Sequence, residues 1–395
     1  MPVLALPAAV LLMLFGGLFY CWSVFVVPFE AALSAPRGLV SLTFSVGLLA
    51  LPLGIFIVAP LFRRFSLPQL AAALGLLGAA GLTLAGAVPT LATLILGFGV
   101  IFGVAVGANY AVALQAVSVP LPLRASLAVS LTTAAFAGAG LVWPKPLALA
   151  IERLGPNGTL LVLAGAFGAV SLVSALILWR SGVRAPAALD RDSAGLFGNF
   201  LTGQPRVFVC LWLGFAFLGL GGLMAIGHAA GIVQSFGLAP DDAYQGSMSV
   251  SLGYIAGCLA SGPLCDLFGG RRVLIGLGVL MAVALGALVA FPSALSSVIV
   301  MALAGASFGA TAAVYPITIP AYYGVSQLAR VYGRIMLAYG VAGLLAPYLA
   351  GALYDLEGNY TLALTIAAAM AILSVLVNTL LPRLGNSRAA AQAQA

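Results

Sequence analysis

The sequence predicts an all-α membrane protein with twelve transmembrane helices in two pseudo-symmetric six-helix halves, and three observations predict it. Of 395 residues, 63% are hydrophobic and 6% charged, where a soluble globule carries about a quarter charged residues; a soluble chain is excluded on that ground. Apolar runs follow one another, each long enough for the roughly 20 residues that cross a bilayer core. Short Gly/Pro patterns recur at an offset of 202–203 residues, the mark of an internal repeat.

The runs lie at about 5–29, 39–61, 68–88, 91–118, 125–150, 159–179, 206–236, 245–265, 273–291, 295–319, 329–353 and 360–381. They are apolar on every face and lack the ten-residue alternation of a membrane barrel. The first has no basic residue before it and no small-residue cleavage site, so it reads as a retained helix, not a signal peptide. Cys21, Cys210, Cys258 and Cys265 fall within or at the ends of spans, and no disulfide framework is implied.

The formal charge of +7 is explained by topology, with no nucleic-acid partner. Arg63, Arg64, Arg124, Arg180, Arg184, Arg191, Arg206, Arg271, Arg272, Arg330, Arg334, Arg383 and Arg388 lie in alternate loops, at their margins or in the tail, which places them in the cytoplasm. The opposite loops hold only Arg37 and Arg153, together with Glu30, Glu152, Asp241, Asp242, Asp355 and Glu357. Both termini are therefore expected inside, across a bacterial inner membrane. The expected organisation is an N-terminal half over 1–180, a cytoplasmic linker over 181–204, a C-terminal half over 205–382 and a disordered tail over 383–395.

Three pairs carry the repeat. Pro60-Leu61 before Arg63-Arg64 matches Pro263-Leu264 before Arg271-Arg272; Gly103-xxx-Gly107 matches Gly305-xxx-Gly309; Gly140-xxx-Pro144 matches Gly343-xxx-Pro347. The Gly pairs lack the flanking strand and basic residue of a phosphate loop, and small residues four apart let helices touch.

Two parallel halves, with Gly262-Pro-Leu264-Cys-Asp266-Leu-Phe-Gly269-Gly-Arg271-Arg272 between the second and third helices of the second half, resemble the major facilitator superfamily. The resemblance implies the major facilitator fold and a conformational latch of Asp266, Arg271 and Arg272; Leu-Phe-Arg63-Arg64-Phe-Ser in the first half departs from it. Tyr332-Gly333-Arg334 through Pro347, Gly351 through Asp355, and Gly107-Ala-Asn109-Tyr110 are similar to the oxalate/formate antiporter and monocarboxylate porter branch. Oxalate-type members usually hold carboxylates with a basic residue in the eighth helix and a lysine in the eleventh, whereas Cys258 and Tyr339 stand at the aligned positions here. A dicarboxylate with two fixed charges is not expected.

Lys145, the single lysine, lies between prolines in Trp143-Pro144-Lys145-Pro146. An ammonium in hydrocarbon must face a cavity, pair or snorkel, and at about 10 Å from the span's outer end it can anchor an anion or snorkel. His228, the single histidine, is either a satisfied structural group or a protonation switch. Met224 shares its helical face, and that soft pair offers copper an alternative metal site. Tyr20, Trp22, Asn109, Gln115, Tyr315 and Tyr339 supply hydroxyl, indole and amide groups on spans that line the cavity by resemblance.

Neither an enzyme's acid, base and nucleophile set, a channel's filter nor a Walker sequence is present in the sequence. The expected function is secondary transport of a small organic solute, a monocarboxylate-type anion first, by alternating access. Copper or a neutral vitamin-like compound is the alternative cargo. A coupling proton or counter-anion, a monomer in lipid and no cofactor complete the expectation.

Overall fold

A computed structural model describes residues 4–118, 125–183, 204–324 and 327–383. The expected linker and tail, with Arg124, Arg184, Arg191 and Arg388, lie almost wholly outside the described residues. Among the described residues fourteen α-helices are present: α1 Ala5–Gly16, α2 Ser23–Leu33, α3 Arg37–Val58, α4 Leu67–Ala87, α5 Leu91–Leu94, α6 Gly103–Ser118, α7 Ala125–Val142, α8 Pro144–Ser181, α9 Pro205–Ser235, α10 Tyr244–Phe268, α11 Gly270–Ala290, α12 Ala294–Tyr323, α13 Leu328–Glu357 and α14 Thr361–Thr379.

These build twelve spans. Among the described residues, ten helices are long and apolar enough to cross a bilayer, and an eleventh span bends by 52° between Ala5–Cys21 and Ser23–Leu33. Its bend follows a 3-10 stretch, Gly17–Cys21, whose tighter winding redirects the chain. The twelfth comes from α8, which contains a turn at Gly155 (φ 70°, ψ 169°) in a conformation glycine adopts freely. Before that turn Lys145, Ala148 and Glu152 run alongside Ser23, Val27 and Pro28. After it Asn157, Phe167 and Ser171 run back along Gly86, Gly78 and Gly75 of α4. The fifth span is therefore α7 with the start of α8, and the sixth is the remainder.

The repeat is visible as contacts. A Cβ on Gly107 would lie 1.8 Å from the Leu51 carbonyl oxygen, and one on Gly305 2.0 Å from that of Val250, so α6 meets α3 as α12 meets α10, backbone against backbone. Thr90 and Ser293, also 203 apart, open α5 and α12 with reciprocal caps: each hydroxyl accepts from the N–H three residues on, at 3.2 and 3.1 Å, and each N–H donates back to that residue's hydroxyl.

The halves join where α13 packs on α3, α7 on α10 and α2 on α9. Gly140 faces Ser251 and Gly343 faces Leu48, so the third repeat pair marks two equivalent positions on the seam. The far end of the bundle carries the turns at 34–36, 155, 236–243 and 358–360; the near end carries the start of α1 and the end of α14. Helices α12 and α13 both run four residues past their expected ends. Tyr322 donates to the Pro382 carbonyl at 3.0 Å and Asp355 takes two N–H donors, so polar side chains at those ends are paired within the protein and the helices continue.

Candidate functional site

Two sites lie on the seam. At mid-span the Tyr20 and Tyr339 hydroxyls hydrogen bond to each other, one from each half. Tyr110, Tyr254 and Tyr332 lie within electrostatic reach of this pair or of one another, and the Phe136 ring meets Tyr20 and Tyr110 edge-on at 5.6 and 5.2 Å. All five phenols are partly exposed although they stand deep in the bundle, so they face an internal space. The lining comes from the first, fourth, fifth, eighth and eleventh spans and presents hydroxyl donors and acceptors on aromatic walls.

Toward the far end the Ser23 and Ser247 hydroxyls pair across the seam at 2.5 Å. Ser23 also borders a vestibule of about 520 Å³ that contains Lys145, Glu152, Asp241, Asp242 and Tyr244. Lys145 is exposed there, its Nζ 5.9 Å from the Tyr244 ring centre, with no ion pair to it among the described residues. It is thus separated from the phenols by the serine pair.

The second site closes the far end. Arg37 begins α3 and is buried. Its Nε donates to Glu30 at 2.7 Å, its Nη2 lies 2.6 Å from the same carboxylate, and its Nη1 donates to the Tyr360 hydroxyl at 3.0 Å. The guanidinium sits 3.6 Å from the Tyr354 ring centre, a cation–π contact. The Asp355 carboxylate accepts from the backbone N–H groups of Arg37 and Gly38 at 2.8 and 2.7 Å, capping the positive end of α3 from the opposite half. Close approach requires glycine on both sides: a Cβ on Gly351 would fall 2.7 Å from the Gly38 Cα.

His228 belongs to this clasp. Its Nε2 is 2.8 Å from the Pro347 carbonyl and its Nδ1 2.9 Å from the Tyr360 hydroxyl. A carbonyl only accepts, so Nε2 carries the proton, and the neutral ring's Nδ1 accepts from Tyr360. Burial pushes the Tyr360 phenol well above its ordinary range, which keeps that proton on the hydroxyl. The result is a directed chain from Arg37 to Tyr360 to His228 to Pro347.

The structure redistributes the expected residues. Tyr20 and Tyr339 come together. Trp22 is fully buried and stacked 4.7–6.2 Å from Phe25, Phe29 and Phe98; Tyr315 is buried, donates to the Leu211 carbonyl at 3.0 Å and packs on Phe215; Asn109 is buried in the helix packing. All three are buried in this closed arrangement, the Trp22 Nε1 and the Asn109 amide without a hydrogen-bond partner among the described residues, while Gln115 is half-buried on α6. Both His228 nitrogens are engaged and Met224 is core, so the copper pair offers no free imidazole lone pair. The latch residues do not pair: Arg271 donates to the Thr379 carbonyl at 2.6 Å, and Asp266 is exposed without an ion pair among the described residues. Sequence reasoning missed Arg37 as a site residue, although one of only two arginines among six acids, at a helix start, was a usable signal.

The sequence profile of the Major Facilitator Superfamily matches residues 209–394. The MFS-type transporter YhjX of Escherichia coli (strain K12) is 29% identical over 339 residues, 83% of this chain and 82% of that one. Monocarboxylate transporter 13 of Rattus norvegicus is 25% identical over 361 residues, 89% of this chain and 82% of that one. Among solved structures, a bacterial homologue of the human lysosomal transporter Spinster, inward-facing and occupied, superposes with a TM-score of 0.74 at 16% identity, covering 97% of each chain. The D-xylose-proton symporter superposes at 0.70 with 14% identity, covering 97% of this chain and 98% of that one. These relatives are transporters and not enzymes, and this multi-pass membrane protein is similar to them: its residues 209–394 match the Major Facilitator Superfamily profile, and its spans, in two similar halves, share the fold of the solved transporters.

Proposed function

We propose that the chain moves a small organic solute of the monocarboxylate class across the bacterial inner membrane by alternating access, with its termini in the cytoplasm. The observation that carries the reading is the Tyr20–Tyr339 contact: rocking of the halves makes and breaks it, so a solute between the phenols is held by both halves at once. The Arg37 clasp is then the outer gate, drawn shut, and the phenols face the cytoplasmic side. The inward-facing Spinster homologue and the rat monocarboxylate transporter support this assignment.

A carboxylate held by phenol donors makes charge-assisted hydrogen bonds, each contributing about 1.5–3 kcal/mol. In proteoliposomes taking up labelled monocarboxylates, Tyr20→Phe and Tyr339→Phe are each expected to weaken apparent affinity by roughly tenfold or more, while Tyr315→Phe leaves it unchanged. Uptake of a neutral amphipathic compound with no carboxylate transported would replace the class and keep the site. Transport of neither, with both phenol variants inert, would remove the phenols from the site.

Lys145, in the vestibule, acts on the approaching anion. Lys145→Ala is expected to slow uptake at low ionic strength, with the difference closing as salt screens the vestibule. An affinity loss unchanged by salt would place the lysine at the bound solute instead.

A further inference from the structure

We infer that His228 Nδ1 is a proton site that can be filled only when the outer clasp is open, so that external acid holds this transporter outward-open. In the closed clasp Nδ1 is occupied as an acceptor, because the Tyr360 hydroxyl donates to it while receiving Arg37 Nη1. A proton on Nδ1 would turn that acceptor into a donor and remove the only donor role of the phenol. It would also place an imidazolium across one oxygen atom from a guanidinium. The proton and the closed clasp are therefore mutually exclusive ligands of one arrangement, and each must weaken the other by the same factor.

The groups around the ring make the site specific. The ring itself meets Tyr360, from the turn before α14, and the Pro347 carbonyl of α13; Arg37 of α3 stands one contact farther on, with its partners Glu30 of α2 and Tyr354 and Asp355 of α13. Glu30 and Asp355 are already committed to Arg37 and to the start of α3, so neither carboxylate is available to neutralise an imidazolium. Lys145, Glu152, Asp241, Asp242 and Tyr244 border the vestibule with Gly231 and Gln234, further along α9 from the ring. When the halves part at the far end, Arg37 leaves with the N-terminal half while His228, Tyr360 and Pro347 stay together in the C-terminal half, and the Tyr360 hydroxyl, no longer receiving Arg37, is free to turn its proton to water and accept from Nδ1. The ring then loses its cationic neighbour and meets water, where imidazole titrates at about pH 6.5. Because closure ejects the proton toward the side from which it came, His228 senses outer pH and carries no proton inward. This distinguishes a gate from a coupling carrier.

The inference rests on the alternating-access reading and is independent of the solute class. The test reads the far end directly, without solute: spin-label distances between Ala31→Cys and Glu357→Cys in a chain whose four native cysteines are alanine. Going from pH 8 to pH 5.5, the ratio of long to short distances is expected to rise at least fivefold. In His228→Gln, whose amide can still accept from Tyr360 and donate to Pro347, the change falls below twofold. Glu30→Gln shifts the ratio at every pH and keeps the response. Tyr360→Phe, a second variant should His228→Gln fold poorly, shrinks it by releasing Nδ1 from its donor. A pH response retained in His228→Gln, or absent from the parent chain while both distances are populated, overturns the proton site alone. One distance at every pH and in every variant overturns the alternating-access reading with it.

Discussion

Arg37→Ala will open the far end of the transporter and lower its thermal stability, whereas Arg153→Ala, the other arginine on that side, will do neither. Arg37 is buried and joins Glu30, Tyr354 and Tyr360 through its head group; Arg153 is exposed. Truncating one partner of a buried ion pair costs about 3–5 kcal/mol, because the other is left without compensation. The partial exposure of Glu30, 29%, sets the expectation at the lower end, about 3 kcal/mol. The ion pair lies within one half and sets the stability loss; the Tyr360 hydrogen bond and the Tyr354 cation–π contact cross the seam and are lost only from the closed arrangement, which moves the open-to-closed ratio by roughly tenfold or more. Unfolding of the detergent-purified protein and the spin-label distance across Ala31 and Glu357 both read it. Should Arg37→Ala match Arg153→Ala in both, the clasp does not hold the halves together.

Asp355 contributes differently. Its carboxylate neutralises the backbone start of α3, so Asp355→Asn keeps one acceptor oxygen and loses the charge. A smaller opening than that of Arg37→Ala is expected. The two carboxylates of the clasp are thus unequal: Glu30 pairs with a side chain in its own half, and Asp355 reaches across the seam. Only the second changes partners when the halves separate.

The fold was legible because lipid leaves few alternatives. Backbone groups in hydrocarbon must be paired internally, which forces long helices, and an apolar run of sufficient length announces each one. The glycines at 103, 107, 305 and 309 were readable for the same reason, since in lipid close backbone approach replaces the hydrophobic effect as the source of packing. What the sequence hides is which face of a helix meets the cavity. Spans that are apolar all round have no period, so nothing in the sequence tells that Tyr315 turns its hydroxyl to the Leu211 carbonyl or that Trp22 and Asn109 are buried. Tyr110, Tyr254 and Tyr332 escaped notice for the converse reason. The clasp joins residues more than 300 positions apart, and no local spacing encodes such a pairing. Arg37 still left a trace: a basic residue against the charge bias, seven positions from Glu30, needs a partner. Gly155 left one too: it stands in Glu152-Arg153-Leu-Gly155-Pro-Asn157, the polar break between the fifth and sixth expected spans, and there it reverses the chain.

Gly107→Ala will be among the most damaging single-methyl changes in the protein, and Gly165→Ala among the least. The added Cβ at 107 would lie 1.8 Å from the carbonyl oxygen of Leu51 and 2.7 Å from its carbonyl carbon, whereas at 165 nothing stands within 4 Å. A flexible side chain could swing away, but a helix backbone yields only by moving α3 and α6 apart, and overpacking in a tight core costs about 1–3 kcal/mol. Two rigid backbones set Gly107→Ala at the upper end, about 3 kcal/mol. Gly165→Ala instead gains helix propensity, up to about 1 kcal/mol. Gly305→Ala, 2.0 Å from the Val250 carbonyl oxygen in the other half, should cost as much as Gly107→Ala, and the two should add because the contacts share no residue. Thermal unfolding of the four proteins, with the monodisperse fraction after detergent extraction, measures this directly. Equal loss from Gly107→Ala and Gly165→Ala would mean that the N-terminal half is held by something other than backbone contact between α3 and α6. Loss confined to one half would mean that the repeat, though shared in geometry, is not shared in energy.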